Sequence, residues 1–200
     1  MQTPELTVCT MDLLGDSIRH FWTSELAGLL ERFPVFEFPH NQDFYSLIIV
    51  DSADGEIVID NHKIRLDKAK AVIVKPRCIS SIDINRQAKG KIICFTEDFF
   101  SLRYNNNVLY QFSFLHREAK PYIRITHEQK VKWDTLLRLI SDGYFLNKSG
   151  TKKVLKSYLN IILFELERLY NPSGYVKNKS IKQDKVHQFE MLLDKHFNTK

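Results

Sequence analysis

The stretch Phe38–Val50, FPHNQDFYSLIIV, decides how this chain is read. It passes from proline and polar residues into the apolar run Leu47–Val50, which reads as a β-strand. At a strand's period of two, His40, Gln42, Phe44 and Ser46 share one face. A histidine in that place has two readings. It belongs to a metal or ligand site, or it hydrogen-bonds a backbone group and closes the strand.

The same texture continues downstream. EIVI follows the turn DSADG, KIRL follows DNH, and then come AVIVKP, ISSIDI and GKIICF. Short strands with frequent turns predict an antiparallel sandwich or barrel up to about residue 95. Ile57 with Ile59, and Ile82 with Ile84, alternate with polar neighbours, so one sheet face is expected to be buried. Upstream, SELAGLLERF reads as a short helix capped by Ser24, and LTVCTM and HFWT are candidate strands.

From Thr96 the apolar spacing becomes helical. TEDFFSL offers Thr96 as an N-cap, with acids in the first turn. THEQ, Thr126–Gln129, is a capping box. It opens a helix with Trp133, Leu136, Leu137, Ile140 and Tyr144 on one face. A second helix begins at Gly150–Thr151, with Val154, Leu155, Tyr158, Leu159, Ile162, Leu166 and Leu169 on its apolar side, and ends before Pro172 and Gly174. Phe164 falls on the otherwise polar stripe of Lys153, Ser157, Asn160 and Arg168. It reads as a lone exposed apolar residue or, with Ile161 beside it, as a patch for a second subunit. Residues 172–180 read as a polar, basic linker, and residues 181–200 are expected to form an amphipathic helix with Val186, Phe189, Leu192, Leu193 and Phe197.

Composition narrows the classes. Over 200 residues, 44% are hydrophobic and 12% aromatic, which indicates a globular chain with a core. The three cysteines have no zinc or disulfide spacing and fit a reducing compartment. The N-terminus MQTPELTVCT has neither a basic start nor an apolar core, so no signal peptide is expected. No apolar run approaches the roughly 20 residues of a membrane span. These features predict a cytoplasmic protein without membrane association. Residues 1–100 carry 11 Lys/Arg against 15 Asp/Glu, a net −4, and residues 101–200 carry 18 against 9, a net +9. The basic half reads as a solvated helical surface or as a face for nucleic acid or an acidic partner. A Gly-rich phosphate loop, GxSxG, HExxH and CxxC are all absent.

PHNQDFYSLIIV, GEIVID, VIVKP and GKIICFTEDFF, followed by VLKSYLNIILFELERLY and HQFEMLLDKHF, together resemble the N-terminal sensor region of AraC-type transcription regulators. The resemblance is closest to the kind common in Bacteroidetes-like bacteria and covers roughly residues 20–197. It implies an α+β fold: a cupin-like antiparallel β-barrel of jelly-roll type over residues 1–95, then a helical dimerisation region over 96–171. Residues 172–180 would link to the helix at 181–200, which leads toward a DNA-binding domain with two helix-turn-helix units. That domain is absent from this chain, which stops at Lys200. The helix at 151–170 is too apolar around its circumference to serve as a recognition helix.

Metal-binding cupins carry His-x-His with an acid four residues on, and a further His from a later strand. Here that pattern lies over His40, Gln42, Ser46 and Ser80. A transition metal needs several nitrogen or carboxylate donors at about 2.0–2.2 Å, and one histidine with an amide and two hydroxyls does not supply them. The expectation is no metal, no cofactor and no catalytic residue. His40, Gln42, Phe44, Ser46, Arg77 and Ser80 then become candidates for binding a small polar effector, sugar-like or otherwise. Arg77 would reach an anion across the mouth or simply be solvated. Ile161, Phe164 and Arg168 become candidates for a homodimer interface, with DNA contacted only through the missing domain. The alternative is a free-standing, metal-independent cupin-like enzyme such as a sugar isomerase or epimerase, with His40 as general base.

Overall fold

The computed structural model describes residues 6–15, 18–100, 108–116, 118–146 and 148–171. The chain divides into a unit Met1–Tyr170 and a second unit Asn171–Lys200, and every strand and helix named below belongs to the first. The linker expected at 172–180 and the helix expected at 181–200 lie outside the described residues.

Among the described residues, ten strands occur in chain order: β1 (Thr7–Cys9), β2 (Phe21–Glu25), β3 (His40–Gln42), β4 (Tyr45–Ser52), β5 (Gly55–Ile59), β6 (His62–Arg65), β7 (Lys70–Val74), β8 (Ile79–Ile84), β9 (Lys89–Phe95) and β10 (Tyr122–Arg124). Four α-helices accompany them: α1 (Leu29–Arg32), α2 (Glu97–Phe100), α3 (His127–Leu146) and α4 (Thr151–Tyr170). The strands form two five-stranded sheets, β1-β3-β8-β5-β6 and β10-β7-β4-β9-β2. Every pairing is antiparallel except β1 with β3. Among the described residues no ladder joins one sheet to the other, and the architecture is two mostly antiparallel sheets with C-terminal helices. The pairings are nested: β5 with β6, β4 with β7, β3 with β8, and β2 with β9.

The two sheets differ in how they meet water, and their sequences show why. In the first sheet, Ile57, Ile59 and Ile82 are buried while their neighbours are at least partly exposed, as befits a sheet solvated on one face. In the second sheet, Leu47–Val50, Ala71–Val74 and Ile92–Phe95 are buried without a break. Such runs need cover on both faces. One face packs toward the first sheet within a single hydrophobic cluster. The other takes the helical layer. There Tyr45 stacks on Phe95 (5.3 Å between rings), and Phe21 meets Phe99 (4.8 Å) and Tyr144 of α3 (6.0 Å).

The helices largely follow their spacing. The buried face of α3 is Trp133, Leu136, Leu137, Ile140 and Tyr144, as the periodicity predicts. Half of its capping box forms: the Gln129 side chain accepts the Thr126 N–H at 3.0 Å. Packed against it, α4 buries Leu155, Leu159, Ile162, Leu163 and Leu166. Lys132 and Glu165 tie the two helices at 2.6 Å. Gly143 lets α4 come close, since a Cβ there would sit 3.2 Å from the Leu155 side chain.

Three local expectations are corrected. Ser24 lies in β2, and α1 starts instead after Gly28, whose left-handed φ of 68° a glycine adopts freely. Thr96 precedes α2, but its hydroxyl has no hydrogen-bond partner among the described residues. Val154 is 44% exposed and off the buried face of α4, because it lies one residue ahead of the Leu155–Leu159–Ile162–Leu166 row.

β9 begins where it touches the backbone of β4. Gly90 has φ 143°, and a Cβ there would stand 2.1 Å from the Ile49 carbonyl oxygen. Gly90→Ala should therefore cost about 2–4 kcal/mol in chemical denaturation. Gly150→Ala, where φ is 84° but nothing lies within 4 Å, should cost about 1 kcal/mol. Equal costs would contradict the close approach.

Candidate functional site

The stretch Phe38–Val50 turns a corner. His40 and Gln42 belong to β3 in the first sheet, and Ser46 belongs to β4 in the second. All still point inward: His40, Gln42, Phe44, Ser46 and Ser80 are each at most 3% exposed. The four positions of the cupin pattern therefore converge, but their polar groups are engaged with one another. His40 Nδ1 pairs with the Phe38 carbonyl at 2.9 Å, and Nε2 lies 3.4 Å from the Ser80 hydroxyl. The Gln42 amide donates to the Phe44 carbonyl at 2.7 Å and to Ser46 Oγ at 3.0 Å. The Gln42–Ser46 bond links the two sheets, and Ser46 Oγ also lies 3.5 Å from Cys94 Sγ on the neighbouring β9. The His40 ring packs on Phe36 at 5.1 Å, in a run that continues through Phe33 to Trp22.

Arg77 stands apart from this group. It is exposed, its φ is 69°, and its backbone N–H donates to the Gln42 carbonyl at 2.8 Å. A left-handed arginine carries local strain that a glycine would not. Among the described residues, no group of three or more His, Cys, Asp or Glu is placed to hold a metal ion.

Burial sets the protonation states. It lowers the pKa of His40, against a smaller opposing effect of the Phe38 hydrogen bond, so the imidazole is neutral at pH 7. Burial pushes the Cys94 thiol up to about 12, and burial followed by the Asp60 carboxylate pushes Cys78 up to about 11. Cys9, Cys78 and Cys94 are free thiols, and Cys9 is also raised by burial, so all three are protonated near neutral pH.

On α4, Ile161 is 44% and Phe164 40% exposed, and Arg168 holds Glu165 at 3.1 Å. With Val154 and Ser157 they form a row at alternating spacings of three and four. That is the spacing of a helix–helix seam. Phe164 also lays its ring against Phe112 of its own core, at 5.1 Å.

One site has no counterpart among the expectations from sequence. A cleft of about 480 Å³ opens between α3 and the end of the second sheet, where β2 and β4 finish and β9 begins. Its floor is apolar, built from Ile49, Ile125, Trp133 and Leu137, and Phe145, 75% exposed, stands at its edge. Two ion pairs sit in its wall: Lys91 with Glu25, and Lys130 with Asp51 at 2.7 Å. Lys89, Asp134, Arg138 and Asp142 also line it and make no ion pair among the described residues. The signals available in the sequence are the stripe Asp134–Arg138–Asp142 at four-residue spacing and the apolar Phe145–Leu146 on the far side of an otherwise amphipathic helix.

No protein-family model and no curated protein matches this chain. Among the described residues, no helix is long and apolar enough to cross a membrane.

Because the folded state holds His40 below its ordinary pKa, the unfolded chain binds more protons just below pH 6.5. The contribution of His40 is whole above that pH and is lost as pH falls toward the folded-state pKa. Melting curves from pH 7.5 to 5 should show wild type losing stability faster than His40→Gln. Parallel losses would contradict a buried neutral imidazole.

Proposed function

We propose that this chain is the sensing and dimerising region of an AraC-type transcription regulator, one that responds to a small effector and contacts DNA through a domain beyond these residues. The observation that carries the reading is the nested strand pairing. β2 with β9, β3 with β8, β4 with β7 and β5 with β6 is the pairing order of a rolled-up long hairpin, and it supports a jelly roll of the cupin kind. The pairing of α3 with α4 immediately after the strands, and the row on α4, agree with the order of parts in such regulators. Three free thiols fit a cytoplasmic setting.

The enzyme alternative asks His40 to act as a general base. A base must come within hydrogen-bond reach of its substrate. His40 is 1% exposed and both ring nitrogens face groups of its own chain, which favours a structural part. His40→Ala should lower stability by about 2–4 kcal/mol. Turnover of a sugar substrate that vanishes in this variant while the fold persists would overturn the non-enzymatic reading.

In this reading the Ile161–Phe164 row on α4 meets its copy in a homodimer. Sedimentation of the full chain should show a dimer that Ile161→Asp converts to a monomer with an unchanged far-UV spectrum. Phe164→Asp should do the same, with some loss of stability because Phe164 also packs on Phe112. A wild type that stays monomeric at high concentration would sink the interface. The regulator reading is tested separately by the native reading frame beyond the Lys200 codon. It should encode two helix-turn-helix units, and a frame without them would contradict it.

A further inference from the structure

The sensing reading needs a place for an effector, and the sandwich interior around His40 has its polar groups paired internally. We propose that the ligand site is instead the cleft between α3 and the end of the second sheet, and that it takes a small zwitterion with an apolar body: an amino acid with a large apolar side chain, or a dipeptide of such residues.

Size and lining support a small-molecule site. About 480 Å³ lies within the range of sites for small ligands. Ile49, Ile125, Trp133 and Leu137 are each no more than 9% exposed, so the floor is fixed by the core and already shaped. Phe145 is an exposed aromatic at the edge, where a ligand's apolar part would cover it.

The charges narrow the class. The lining carries four cations, Lys89, Lys91, Lys130 and Arg138, and four acids, Glu25, Asp51, Asp134 and Asp142. A balanced lining gives no net attraction for a polyanion such as a nucleotide. Two cation–acid pairs are already closed, which leaves Lys89 and Arg138 beside Asp134 and Asp142. Arg138 sits one helical turn from each of these acids, so its neighbours lie roughly 6 Å away along one face of α3. A guanidinium receives a carboxylate in a fixed fork. The flanking carboxylates receive an ammonium. A ligand bearing both groups, with its apolar side chain on the floor, satisfies all three at once, whereas a ligand with one charge leaves part of the lining uncompensated.

The wall that reads this ligand is α3, which is also tied to the sheet by Lys130–Asp51 and to α4 by Lys132–Glu165. Occupancy of the cleft therefore bears on the helix that carries the Ile161–Phe164 row. This regulatory role rests on the sensing reading above, while binding itself does not.

Calorimetric titration of the full chain with L-phenylalanyl-L-leucine tests the site. The comparison ligands are its N-acetyl form, its C-terminal amide, and the doubly blocked form, which keep the body and remove one charge or both. The free dipeptide should bind at least tenfold more tightly than either singly blocked form. Arg138→Gln should abolish the preference over the amide. The double variant Asp134→Asn/Asp142→Asn should abolish the preference over the N-acetyl form. None of these three side chains closes an ion pair among the described residues, and Asp134 adds only to the field on the solvent-exposed Lys130, so melting temperatures should change little. Ser141→Trp, which fills the cleft, should remove binding of all four. Equal binding of the four ligands, binding that survives Ser141→Trp, or no binding of any would overturn the proposal. Sedimentation in the presence of the dipeptide separates the two readings. Binding that leaves self-association unchanged keeps the cleft and sinks the sensing role.

Discussion

β4 is buried on both faces, and the rest of the molecule answers that constraint. Leu47, Ile48, Ile49 and Val50 run without a polar break, with β7 on one side and β9 on the other. A strand of that composition is stable only between two covering layers. The first sheet supplies one layer through Ile57, Ile59 and Ile82, and α3 with α2 supplies the other through Tyr144 and Phe99. The helical segment is thus the second wall of the same core. The cleft is where that wall reaches beyond the end of the sheet.

The inner face shows how a polar cluster can be structural. Gln42 and Ser46 join the two sheets through a hydrogen bond, while Ser46 with Cys94 and His40 with Ser80 join neighbouring strands. Groups left unpaired in such a place would be costly, and paired groups fix register and spacing. The arrangement also explains why His40 is neutral: its surroundings offer an aromatic ring, a hydroxyl and a carbonyl, and no carboxylate partner among them.

Much of this was legible beforehand. The strands from β4 to β9 follow apolar runs bounded by turn residues, and the buried face of α3 follows its 3.6-residue period. The corner at Asp43–Phe44 was not legible, because alternation continues across it: residues 40, 42, 44 and 46 all point inward although the chain changes sheets. β10 is three residues long, too short to show a period, and it is recruited by the open edge of β7. Val154 and Leu155 are adjacent apolar residues on one helix, and only the packing against α3 decides which of them is buried. The cleft was invisible because it joins residues far apart in the chain, Glu25 and Asp51 with Lys130 and Asp134, and no local pattern reports a shape made by two distant segments.

The helical layer's place in the core is best tested by cooperative unfolding of residues 1–126 alongside the full chain. The shorter chain keeps all ten strands and lacks α3 and α4. If β4 depends on cover from both sides, residues 1–126 will show no cooperative transition and will expose apolar surface to a hydrophobic dye. A sharp transition for the shorter chain, near that of the full chain, would show that the strands stand alone and that α3 is an appendage rather than a wall.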